Sequence, residues 1–468
     1  MRVNSPNFPI RRRPVEMLGV RLAVLLGATA CVLALHGSYA GIISPQYRLE
    51  GYPYDPPSGG YLFLSALFAI TPALWMPIRL ERPSLCVYWI LFVMAYIPIC
   101  TIPWYMGTVE PFRLLLFDFW VLVTFWMVRN IYRLPLLRIP LVSVRKLGFW
   151  LMLGLLSLAL YTSIISVFGL QFNFVANENV YDVRAEYTET TRESGSLSAY
   201  AVGWQSNAVN PFLISLGLLT GNVAFIGLGL AGQLMLYSIT AFKSVLLSGI
   251  WLVFLLFATR KQGKLFGVWV VWGVVATILF STFVYQRTGS PFVTSIVTRR
   301  TFVVPGILSA RYFEFFSENP KSKLGDGILK NFVDYPYTQP VARVIGSRYF
   351  NANASANANL WAYGFAAFGY PGMFLFAMLL ALLLWVVDSI AAGRDPRLIA
   401  MMLAIPGMTL SNTSLFTALL THGVGLTVLL VYLLPPMNVL VRAAKRRPKR
   451  WVQLYRRPVG SLAHGTER

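Results

Sequence analysis

Charge is scarce in this 468-residue chain, with Asp, Glu, Lys and Arg making up 12% of it, about half the share of an ordinary soluble domain. Acid is scarcer still, with 18 Asp and Glu against 40 Lys and Arg. The three cysteines, Cys31, Cys86 and Cys100, lie inside apolar runs and form no CxxC pair, so no disulfide framework is expected. The three histidines are dispersed: His464 is in the tail, and His36 and His422 sit near the ends of apolar runs. The chain contains no HExxH, no metal-ligand cluster, no Walker A loop and no GxSxG elbow. Metal-free chemistry without a cofactor is therefore the expectation, working by positioning and electrostatics. Alternating segments of about ten residues are also missing, which excludes the reading as a membrane β-barrel.

What is present is apolar: 56% of residues are hydrophobic, 15% are aromatic, and mean hydropathy is +0.60. The apolar runs are about 18 to 23 residues long, enough to cross hydrocarbon as helices. These features predict an all-α polytopic membrane protein, residues 1–468 forming one membrane domain of about twelve transmembrane helices. Segment 199–240 is long enough for two spans but is interrupted by Asn207, Asn210, Pro211, Gly221 and Asn222. Polar positions at membrane depth are tolerated where buried in protein or lining a wet cavity. The net charge of +22 sits mostly in short turns and tails, including Arg11, Arg12, Arg13, the stretch 129–146 and a basic tail over 442–468. That placement reads as positive-inside topology and contact with anionic lipid headgroups rather than nucleic-acid binding. It leaves two polar loops outside the cytoplasm, 170–198 and 285–366, the second a large periplasmic loop carrying short helices.

The larger loop holds Arg287, Arg299, Arg300, Arg311, Arg343 and Arg348 with Lys321, Lys323 and Lys330. Arginine forks match phosphate geometry and stay charged. Aromatics such as Tyr312 and Tyr349 offer flat faces to sugar rings, and Asn357 and Asn359 offer amides to hydroxyl-rich ligands. In ARYFEFF the apolar residues fall on more than one helix face, which marks a buried or interfacial helix. A plainer reading makes the loop a solvated cap whose basic residues touch headgroups. The smaller loop, NENVYDVRAEY, places Asp182 and Glu186 close to Arg184. A carboxylate paired there would orient or deprotonate a sugar hydroxyl, or the loop is an acidic surface held by salt bridges.

The stretch NVYDVR, the pair Lys243–Ser244 at a span boundary, TRRTFVVPGILSARYFEFFSENP, VIGSRYF and NANASANANLWAYGFAAFGYPG together resemble the Wzy-type O-antigen and oligosaccharide repeat-unit polymerases of bacterial inner membranes. The resemblance covers residues 170–390 in motif and the whole chain in span layout. It implies a GT-C-type membrane glycosyltransferase that joins undecaprenyl-diphosphate-linked oligosaccharides at the periplasmic face, with membrane lipids, a flippase and a chain-length regulator as partners. By motif position it implies diphosphate-binding roles for Arg184, Arg299, Arg300 and Arg348, with Arg287 and Arg311 as further candidates and Lys243 in the substrate-binding set. No motif of the family marks a general base. An O-antigen ligase-like enzyme, a lipid-linked glycan flippase or transporter, and a non-catalytic scaffold are the competing readings. The large loop has no histidine and the spans hold few ionisable residues (Asp118 is the main one), which weighs against the first two.

Overall fold

The computed structural model describes residues 14–142, 144–170, 183, 187, 189–191, 196–352 and 354–435, and among these the secondary structure is helical with no strand. In hydrocarbon every backbone N–H and C=O must be satisfied within the chain, and a helix does this segment by segment. Among the described residues seven helices are long and apolar enough to cross a membrane: Leu18–Glu50, Leu85–Met106, Pro111–Arg133, Lys146–Phe168, Val223–Thr240, Phe266–Thr288 and Tyr370–Ile390. Four shorter apolar helices accompany them, Gly59–Leu74, Lys243–Ala258, Pro396–Thr409 and Val424–Leu433. The chain is a multi-pass helical membrane protein. Leucines such as Leu18, Leu22, Leu26 and Leu33 on the first helix, and Leu147, Leu151, Leu155 and Leu158 on another, face outward in the manner of lipid-facing side chains.

The helices used below are α1 (Pro14–Ser38), α2 (Gly59–Ile70), α3 (Leu85–Met106), α4 (Pro111–Arg129), α5 (Lys146–Phe168), α6 (Ser196–Trp204), α7 (Asn210–Thr220), α8 (Val223–Thr240), α9 (Lys243–Ala258), α10 (Phe266–Thr288), α11 (Val304–Glu318), α12 (Val341–Tyr349), α13 (Leu360–Phe368), α14 (Tyr370–Ile390), α15 (Pro396–Thr409), α16 (Leu415–Leu420) and α17 (Val424–Leu433).

Helix α3 is the centre, and every residue along it is buried. Its N-terminal half packs on α15, and its C-terminal half packs on α2 and α11. Gly306 lets α11 lie directly on α3: a Cβ there would sit 2.6 Å from Ile102 Cβ. Two of the asparagines that interrupt segment 199–240 are used within the fold: Asn222 caps α8, accepting from Ala224 N at 3.0 Å, and Asn210 joins an amide network. Asn210 Oδ1 accepts from Gln205 Nε2 at 2.8 Å, Asn210 Nδ2 donates to Gln233 Oε1 at 3.3 Å, and Gln233 Nε2 donates to Ser248 Oγ at 2.8 Å. These bonds clamp α7, α8 and α9 together from within, which is how such groups survive away from water.

At one end of the bundle Arg82 donates to the carbonyls of Ile131 and Leu134, while Asp388 accepts from Ser84 N at 3.0 Å and Ser84 Oγ at 2.7 Å. At the other end the chain between α1 and α2 folds onto the end of α3, with Asp55 N donating to Tyr105 O at 3.0 Å. The segment following α11 closes over the end of α13, through Ser322 N to Ala366 O at 2.9 Å and Lys323 N to Ala367 O at 3.1 Å. Lys321 Nζ donates to the Phe316 carbonyl and lies 4.0 Å from the Phe365 ring centroid. Burial pulls this ammonium down to about 8.

Two predictions follow from this packing. Gly364 and Gly372 meet backbone to backbone, and a Cβ on Gly372 would overlap the Gly364 carbonyl. Gly372→Ala is expected to cost about 1–3 kcal/mol through overpacking, read as a lowered melting temperature in detergent. Lys321 has a folded pKa below its unfolded value, so its burial cost is fully present below about pH 8 and is relieved as pH rises toward the ordinary lysine value. The melting-temperature difference between Lys321→Met and the wild-type chain is expected to shrink as pH is raised from about 7 to about 10.

Candidate functional site

The sequence SIVTRRTFV forms a wide π-helical segment, Ser295–Val303, between α10 and α11. π-Turns of this kind often occur at functional sites. The turn separates two adjacent arginines: Arg299 is 5% exposed, and Arg300 points to the surroundings. Arg299 Nε and Nη2 donate to Ser295 Oγ at 3.0 and 2.8 Å. Its guanidinium carbon lies 4.0 Å from the Tyr47 ring centroid and 5.5 Å from that of Tyr52. Nη1 reaches Tyr52 Oη at 3.5 Å and Glu50 Oε2 at 3.8 Å.

All three of those partners come from the chain between α1 and α2. The first helix runs on through a π-turn, Tyr39–Ile43, to Glu50, and beyond Gly51 the chain returns along it, with Tyr39 Oη donating to Pro53 O at 2.6 Å. Gly51 has φ +96°, a backbone conformation natural to glycine. A Cβ on Gly51 would meet Tyr349 O and the Phe350 ring, each at 3.3 Å, so this chain is pressed against the end of α12.

Arg311, on α11, is 8% exposed. Its Nη1 donates to Glu314 Oε2 at 2.9 Å, and its guanidinium lies 4.8 Å from the Tyr349 ring centroid. Burial pushes the Tyr349 hydroxyl up to about 12, and the nearby Glu314 carboxylate acts in the same direction. Arg311 Nε is buried and has no hydrogen-bond partner among the described residues. Gly51, next to Tyr52, abuts the backbone of Tyr349, whose ring lies against Arg311, so the two buried arginines border one patch.

Burying a cation costs several kcal/mol unless it is paired and hydrogen-bonded. Arg299 has aromatic faces and one distant carboxylate, itself 63% exposed in its side chain. Arg311 has one close carboxylate and one N–H left over. The patch is thus short of negative charge and supplied with flat rings, an arrangement suited to an anion carrying a sugar or another planar or apolar face.

The other expected residues distribute around this core. Arg348 is exposed and lines an open groove of about 450 Å³ with Phe315, Tyr337, Gln339 and Ser347. Arg287 is exposed at the end of α10, 5.2 Å from the Phe283 ring centroid. Lys243 starts α9 and lies 4.2 Å from the Phe292 ring centroid. Asn357 is exposed. Two expected sugar contacts instead hold the fold. Tyr312 is buried and donates to Ala356 O at 2.8 Å. Asn359 is fully buried: it caps α13 by accepting from Trp361 N and Ala362 N, and donates to Ser309 Oγ at 2.8 Å. With their polar atoms so engaged, neither is free to meet a ligand. Asp182, Arg184 and Glu186 lie outside the described residues.

Tyr47, Glu50, Tyr52 and Glu314 are the contributors that sequence reasoning passed over. The only local signal was a glutamate and a run of tyrosines in QYRLEGYPY, in a chain poor in acid. Among the described residues no group of three His, Cys, Asp or Glu is placed to hold a metal ion. No protein-family model, curated protein or solved structure matches the chain, and the functional argument rests on its own residues.

Titration of inorganic diphosphate into the detergent-solubilised protein, followed by calorimetry, checks the anion site. Arg299→Ala and Arg311→Ala are each expected to weaken binding about ten-fold or more, the scale of one lost charge-assisted hydrogen bond. Arg113→Ala, which removes an exposed ion pair to Glu318 at 3.6 Å, is expected to leave binding unchanged.

Proposed function

We propose that the chain is a glycosyltransferase that polymerises lipid-linked oligosaccharide repeat units in a bacterial inner membrane. The growing glycan passes from undecaprenyl diphosphate onto the non-reducing end of an incoming lipid-linked unit at the periplasmic face. The observation that carries this reading is the pair of buried arginines, Arg299 and Arg311, set under tyrosine faces at one end of a helical membrane bundle. A lipid diphosphate brings two phosphates to the membrane surface with its tail in the bilayer and its sugar outside. Arginines fixed in advance would stabilise the charge that grows on the departing diphosphate. Arg348, on the groove beside Tyr349, is available to the sugar or the second phosphate.

A topology of twelve spans accompanies the proposal. Seven long helices and four short apolar ones supply eleven. The continuous helical stretch of α6, the π-turn Gln205–Val209 and α7 supplies a twelfth, more polar one. With both tails cytoplasmic, the end built around Arg82 and Asp388 faces inward with the basic turns, and the arginine patch faces outward. A flippase would deliver the substrate, and a chain-length regulator would set when elongation stops.

The test uses the lipid-linked saccharide that accumulates in source cells from which this chain has been deleted. Incubated with purified protein, it is expected to yield a ladder of polymers on gel electrophoresis, and the ladder is expected to persist in EDTA. Absence of any ladder would reject the polymerase reading. Inhibition by EDTA that a divalent ion reverses would reject its metal independence.

A further inference from the structure

We infer that Glu50 is the general base of the transfer, the group that takes the proton from the attacking sugar hydroxyl. This assignment rests on the polymerase reading above and supplies the catalytic group that no motif in the sequence marks.

Among the described residues two carboxylates pair with the arginines of the patch, and of these Glu50 is the one with room for the role. Glu314 is committed: its Oε2 is 2.9 Å from Arg311 Nη1, and its side chain is 29% exposed. Proton acceptance there would break a close ion pair. Glu50 differs on each count. Its side chain is 63% exposed, its contact with Arg299 is a loose 3.8 Å, and among the described residues no hydrogen bond reaches its carboxylate.

The backbone beneath it is nonetheless held. Glu50 ends a 3-10 turn, Arg48–Glu50, closed by Gly51 N to Arg48 O at 3.3 Å and Tyr52 N to Tyr47 O at 3.3 Å. Tyr47 and Tyr52 on either side of it both lie against the Arg299 guanidinium. The carboxylate is therefore tethered to the same arginine that receives the anion. Next to it, Leu49 is fully exposed and offers apolar surface to a lipid tail. A general base must stand within one hydrogen bond of the hydroxyl it deprotonates, and a base anchored to the phosphate-binding group brings acceptor and donor to one place.

Glu50 accepts the hydroxyl proton of the acceptor sugar, and the oxygen forms a bond to the anomeric carbon of the donor. The bond between that carbon and the diphosphate oxygen breaks, and its electron pair leaves on the lipid diphosphate beside Arg299 and Arg311. Glu50 then gives its proton to water.

The experiment uses the full-length protein in lipid nanodiscs and the lipid-linked saccharide accumulated by cells lacking this chain. Glu50→Gln keeps the side chain's shape and removes its basicity. It is expected to lower kcat by about 100-fold or more, the scale of general-base catalysis, while KM changes less than about three-fold. Glu50→Asp is expected to recover part of the lost rate. A Glu50→Gln protein that polymerises within about three-fold of the wild type, or that loses KM rather than kcat, overturns the base assignment and leaves the polymerase reading standing. A wild-type protein that makes no polymer overturns that reading and the base with it.

Discussion

A guanidinium taken out of water must be given partners, and the outer architecture of one end of this bundle is organised by that demand. Arg311 is placed by α11, which Gly306 seats on the fully buried α3. Asn359 ties α13 to α11 through Ser309, and Tyr312 ties the chain before α13 to α11 through Ala356. Arg299 is placed by the π-turn that precedes α11, and the chain between α1 and α2 folds over it to supply Tyr47 and Tyr52. The rigid centre of the membrane domain and the two cations are thus parts of one arrangement.

The sequence declared the membrane helices because each apolar run states its own environment by length and composition. It was less informative where a helix is short or carries polar groups. Gly59–Leu74 and Pro396–Thr409 fall short of a full crossing by length, and segment 199–220 falls short by polarity. ARYFEFF could be read as buried because its apolar residues cover more than one face, and α11 does lie in the core. The choice between Arg299 and Arg300 could not be read at all. They are neighbours with the same side chain, and only the π-turn decides which one is turned inward.

Contacts between distant parts of the chain were the main loss. Arg299 and Tyr52 are 247 residues apart, and no local pattern links them. Asn359 was legible as a polar residue, but its partners on α11 were not. A residue's type announces that it will seek hydrogen bonds, and it leaves open whether they go to a ligand or to a helix terminus. Asn before the apolar run LWAYGF is an N-cap signal in its own right, and the buried capping bonds agree with that simpler use. The same holds for Gln205, Asn210 and Gln233, whose amides satisfy one another between helices.

Headgroup contact is the plainest alternative use for basic residues at a membrane surface, and the placement of the arginines bears on it. A long cationic side chain that serves headgroups extends along apolar surface and leaves its charge exposed. Arg287 and Arg113 have that form: both are exposed at helix ends. Arg299 and Arg311 are turned the other way, inward and beneath aromatic rings, where a headgroup at the perimeter does not touch them. An inward-facing cation with an unused N–H calls for an anion that comes to it. In the proposed polymerase that anion is the diphosphate joining a polyprenyl chain to a sugar, whose oxygens match the arginine fork.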